Sequence, residues 1–150
     1  MSQFIGAEIE DERVLEILDR LQSLGGNTSE PMREIAGFME TEVSLGFRDS
    51  RSPYGEAWDP VQRGGKPLID TGILRNSINS EYGADFAEVG TNVVYGPIHQ
   101  FGGKTGRNYA TEIEPRPYLP IQGDEVVLPQ YWEDEILGIL QRHLDGVLNG

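Results

Sequence analysis

The sequence has no cysteine, which excludes disulfides, a thiolate nucleophile and a thiolate zinc site. Histidine is nearly as scarce. His99 and His143 are the two present, and neither sits in a His-Glu-x-x-His or similar ligand spacing, so no metal site is expected. No serine occupies a Gly-x-Ser-x-Gly elbow beside His99, so the histidine is expected to be a packed or surface side chain rather than a general base. Long apolar runs are also missing, and with them any expectation of a membrane span. The first residues mix acidic with apolar side chains instead of placing a basic start before an apolar stretch, so no secretory signal is expected. Basic residues are few, at 12 against 25 acidic ones, for a net charge of −13. Phosphate binding draws its affinity from Lys and Arg, so this balance disfavours nucleic-acid binding.

What is present fits one domain spanning residues 1–150, long enough to bury roughly 70% of the surface its unfolded chain exposes. Acidic charge is concentrated at the two ends. Residues 1–48 carry 10 acids and 4 bases and residues 124–150 carry 6 and 1, whereas residues 49–123 carry 9 and 7. Such ends read first as solvated helix faces that keep the chain soluble.

Hydrophobic periodicity supplies most of the secondary structure. Residues 3–9 suit a short edge strand. Val14, Ile17, Leu18, Leu21 and Leu24 fall on one helical face that ends at Gly25-Gly26. The cap cluster Asn27-Thr28-Ser29, with Pro31 in the first turn, launches a second helix carrying Met32, Ile35, Ala36, Met39 and Val43 to about Phe47. Residues 49–67 hold too many Pro and Gly for a regular element, and Trp58 within them is expected to anchor this loop to the core. A short helix through Ile73, Leu74 and Ile78 is expected to be capped by Asp70 or Thr71. Residues 86–94 read as a hairpin turning at Gly90-Thr91-Asn92, with Val93 and Val94 resuming the strand. Residues 98–101 make one helical turn at most, residues 102–108 a mobile Gly-rich loop or arm, and residues 111–113 a further strand. Pro129 opens a last helix with Trp132, Ile136, Ile139, Leu140, Leu144 and Val147 on one face. The sum is an α+β domain, an antiparallel sheet packed with amphipathic helices and long Gly/Pro loops.

Two segments imitate reactive motifs. Asp70-Thr71-Gly72 after Leu68-Ile69 copies the triplet of aspartic proteases, in which two such Asp residues share one proton. A single copy implies a retroviral-type homodimeric acid protease, the competing enzymatic reading. That family wants a small residue and an acid after the triplet and a later Ile-Leu-Gly strand. Here Ile73-Leu74 follow, and Ile136-Leu137-Gly138 lies in the last helix, so helix capping is the stronger role. Gly102-Gly103-Lys104-Thr105 imitates the end of a phosphate-binding loop, but the first required glycine is Ile98. Neither segment argues for catalysis, and no cofactor is expected.

Four segments remain, in this order: Ser52-Pro53-Tyr54-Gly55-Glu56-Ala57-Trp58-Asp59-Pro60, Leu68-Ile69-Asp70-Thr71-Gly72-Ile73-Leu74-Arg75-Asn76-Ser77-Ile78, Val89-Gly90-Thr91-Asn92-Val93-Val94-Tyr95-Gly96-Pro97-Ile98-His99-Gln100-Phe101-Gly102-Gly103 and Arg116-Pro117-Tyr118-Leu119-Pro120. Together they resemble the phage virion morphogenesis family, the tail-completion proteins of Mu-like and P2-like tailed phages. The resemblance covers nearly the whole chain, with residues 106–114 as the stretch that fits least. It implies a structural protein of the head-tail junction or head-proximal tail end, present in the virion and assembled in the bacterial host cytoplasm. It further implies a ring of identical subunits, sixfold, with neck, connector or tail-tube proteins as neighbours, and no reaction or cofactor. The loop residues Lys104, Thr105, Arg107 and Asn108 are then expected at the subunit contact, the two bases meeting acidic helices of the next subunit.

Overall fold

The computed structural model describes residues 5–59 and 72–149. Helix α1 (Glu12–Ser23) starts where the Asp11 carboxylate accepts the N–H groups of Arg13 and Val14, at 2.9 and 3.1 Å. Val14, Leu18 and Leu21 are buried along it, while Leu24 falls beyond the last turn and is exposed. Gly25 then takes φ 79°, a left-handed step that a side chain would resist, and the helix stops.

Asn27 accepts the Ser29 N–H at 2.9 Å ahead of α2 (Ser29–Asp49), and Pro31 lies in its first turn, where a missing N–H costs nothing. Met32, Ile35, Ala36, Met39, Val43 and Phe47 are buried along one side of α2, making it the central element of the core. Burial of this kind stabilises by roughly 1.5–3 kcal/mol per large side chain.

Strands β1 (Ile5–Glu8), β2 (Asn79–Tyr82) and β3 (Ala87–Thr91) form an antiparallel sheet in the order β1-β3-β2. Its inner residues Ala7, Ala87 and Val89 belong to the same core as α2. The β2–β3 turn lies at residues 83–86, where Gly83 N–H donates to the Phe86 carbonyl at 2.9 Å, and not at Gly90-Thr91-Asn92 as the sequence suggests. The reason is Thr91. Its hydroxyl, fully buried, lies 2.6 Å from that of Ser77 and accepts the Val93 N–H at 3.1 Å, which bends the chain. Val93 and Val94 are therefore turn residues, and Val94 is exposed.

Helix α3 (Ile73–Ser77) buries Leu74 against the core; the expected caps Asp70 and Thr71 lie outside the described residues. Helix α4 (Gly96–Phe101) is six residues, longer than the single turn expected. Two small hairpins follow, β4 (Gly103–Thr105) with β5 (Thr111–Ile113), and β6 (Ile121–Gln122) with β7 (Glu125–Val126). The last helix, α5 (Gln130–Asn149), begins with Glu133 N–H bonded to the Pro129 carbonyl and buries Trp132, Ile136, Ile139, Leu140 and Leu144. Both α1 and α2 pack on α5. Among the described residues no helix is long and apolar enough to cross a membrane.

Candidate assembly interface

Residues 102–108 are not a structureless loop. Their glycines take left-handed or related conformations, with φ of 74° at Gly102, 140° at Gly103 and 81° at Gly106, which supports a hairpin. The register pairs Gly103 with Ile113, Lys104 with Glu112 and Thr105 with Thr111. A short 3₁₀ turn, Arg107–Tyr109, forms the tip. Lys104, Thr105, Arg107 and Asn108 are all exposed on this arm, the first two on β4 and the last two beyond it. Lys104 stands directly opposite Glu112, a cross-strand placement in which opposite charges attract. Arg107 and Asn108 are carried to the tip.

Sequence reasoning missed Tyr109. It is 73% exposed and, with Asn108, holds a left-handed backbone, φ 56° and 59° respectively. Asn tolerates that region, but for a bulky aromatic it costs on the order of 1–3 kcal/mol, and such strain collects where a residue is presented for a purpose. The sequence signal was an aromatic isolated in a polar Gly-rich segment.

The arm stands on a rigid base. Gln100, buried at 2% exposure, spends its amide on the backbone of the facing segment. Its Oε1 accepts the N–H groups of Tyr118 and Leu119 at 3.0 and 2.8 Å, and its Nε2 donates to the carbonyls of Leu119 and Ile121 at 3.0 and 3.2 Å. The Tyr118 hydroxyl donates to the Gly96 carbonyl at 2.7 Å, and burial pushes its pKa well above the ordinary phenol value. A Cβ at Gly102 would come within 2.8 Å of Pro115 Cδ and 2.9 Å of the Ile113 carbonyl, so glycine lets the arm leave and return in contact. Trp58, buried as expected, meets Phe47 edge-on and donates from Nε1 to the Pro117 carbonyl at 2.8 Å. Arg116 donates to the Asp59 carbonyl through Nε and Nη2, and its N–H donates to the His99 carbonyl at 2.8 Å. Burial, and after it the Arg116 charge, lower the His99 pKa and favour the neutral ring.

Three of the four quoted segments thus meet at one place and hold the base of one exposed arm. The described part of the Leu68–Ile78 segment supplies Ser77, bonded to Thr91 beside it; Asp70 and Thr71 lie outside the described residues. Among the described residues no group of three or more His, Asp or Glu is placed to hold a metal ion.

Residues 9–145 match the model of the phage virion morphogenesis family. The chain belongs to that family. It is similar to the Mu-like prophage FluMu G protein 2 of Haemophilus influenzae, at 44% identity over 116 residues that cover 75% of this chain and 82% of that protein. No solved structure matches the chain. Membership assigns this virion morphogenesis protein to the building of phage particles, and the family match includes both the arm and its base.

Proposed function

We propose that this chain is a non-enzymatic structural subunit of the head-tail junction or the head-proximal tail end. In this reading identical copies, six of them, close into a ring seated against neck, connector or tail-tube proteins, in particles assembled in the host cytoplasm. Family membership supports the setting. The observation that carries the subunit role is the arm. A two-stranded hairpin is marginal in water, yet residues 103–112 are exposed throughout, rest on a buried hydrogen-bonded base and end in a strained Tyr-Arg tip. That design suits a segment whose stabilising partner is another subunit. The same protein without the arm keeps a complete core, since none of these residues belongs to the buried cluster.

Inactivating the gene in a phage lysogen tests the proposal. Free heads and free or malformed tails should accumulate, and the wild-type chain should restore joined particles. A chain whose residues 103–113 are replaced by a short Gly-Ser turn should fold but fail to restore them. Normal yields of joined particles without the gene would overturn the assignment.

A further inference from the structure

We propose that the groove between α1 and α5 of one subunit receives the hairpin tip of the next, with Tyr109 seated over Gly138 and Arg107 beside Glu16. The inference rests on the ring reading and names the contact that would close it. The groove is lined by Arg13, Glu16, Ile17, Leu137, Gly138 and Gln141 and has a volume of about 500 Å³. Ile17 and Leu137 are only partly buried and pack against the core from its floor. Gly138 leaves that floor open, because a Cβ there would meet only the flexible Arg142 Nη1, at 3.7 Å.

Charge selects the occupant. The two helices carry seven acids and three bases, and Arg13 at the groove is already paired with Glu133. The tip offers the reverse, Arg107 without an ion-pair partner among the described residues, next to an aromatic ring facing solvent. At 73% exposure Tyr109 does not fill its own chain's groove. An aromatic anchor entering an apolar slot beside a complementary charge is the usual composition of an energetic centre in a protein interface. The contact is heterologous, one surface meeting a different one on the neighbour, which is the kind that generates rings.

The absence of cysteine makes the test clean. A chain carrying both Ala110→Cys, beside Tyr109, and Gln141→Cys, at the groove wall, keeps the anchor and the open floor; treated with a short bis-maleimide it should give a ladder of covalent multimers ending at the ring. Each single-cysteine chain should stop at dimers. Gly138→Leu should keep or raise the melting temperature, because glycine is a poor helix former, yet weaken self-association by roughly tenfold or more. Tyr109→Ala should do the same to association, and Tyr109→Phe should restore it. A native oligomer that persists in Gly138→Leu and gives no ladder would overturn the groove contact while leaving the ring intact. A wild-type chain that stays monomeric at every concentration, with no ladder, would overturn both.

Discussion

Gln100 is the residue on which the base of the arm turns. Gln100→Leu keeps its volume but strands the Tyr118 and Leu119 N–H groups and the Ile121 carbonyl, while the Leu119 carbonyl keeps the Ile121 N–H; each stranded group costs roughly 1–3 kcal/mol if water does not reach it. We expect a clear fall in thermal stability together with faster tryptic cleavage at Arg107, and an unchanged cleavage rate would mean that the arm does not depend on this anchor. The half-buried Tyr54 and the buried Tyr118 tie stability to alkaline pH. Burial pushes Tyr54 up to about 12, where its hydroxyl donates to the Val127 carbonyl at 2.8 Å, and pushes Tyr118 up as well. Because both folded values exceed the unfolded value of about 10, their contribution is complete below pH ~10 and is lost as pH rises through the folded values. Phenolate absorbance should therefore rise in two stages, the second coinciding with unfolding. All six tyrosines titrating together in an intact fold would contradict this. Gln100 itself was not singled out by sequence, because a polar residue in a short helical segment does not announce that it is buried.

The elements that the sequence made legible are those with period. Val14, Leu18 and Leu21, the α2 stripe and the α5 stripe from Trp132 to Leu144 all recur at helical spacing and are all buried, whereas Val147, also expected on the α5 face, lies in the last turn beyond the core and is exposed. β2 was illegible for the opposite reason: Asn79-Ser80-Glu81-Tyr82 is polar and largely exposed, and its strand exists through pairing with β3 and contact with α2 rather than through alternation. The misplaced hairpin turn has a similar origin, since Gly90 reads as a turn residue but lies inside β3, and the bend comes from a tertiary bond between Thr91 and Ser77. The sheet also carries a built-in repulsion. Glu8 and Glu81 both stand opposite Glu88, and burial first, then these two charges, raise the Glu88 pKa. A carboxyl with a raised folded pKa makes stability fall as pH rises through that range, so the penalty is fully present at neutral pH. Glu88→Gln should stabilise the protein at neutral pH by about 0.2–1 kcal/mol, the scale of one cross-strand pair, and the gain should shrink on acidification. An equal gain at acid pH would assign the effect to something other than charge.

At the scale of the whole molecule, acidic ends and a nearly neutral middle became a recognisable arrangement once folded: acid-rich α1 and α5 lie side by side, and the middle of the chain supplies the arm. The α+β class and the family were legible in the sequence, but the separation of Lys104 from Arg107 was not, because it depends on hairpin register. The retroviral-type protease reading turns on Asp70, outside the described residues, and the assembly account instead predicts that Asp70→Asn still restores joined particles. The most direct test of that account is to find the chain in the finished particle. A single cysteine at the exposed position Asp145 is the only thiol in the protein and can carry a gold label through assembly. Electron microscopy of purified particles should then place one focus of label at the head-tail junction or the head-proximal end of the tail. Label spread along the tail or inside the head, or particles that are joined and infectious without any, would contradict the account.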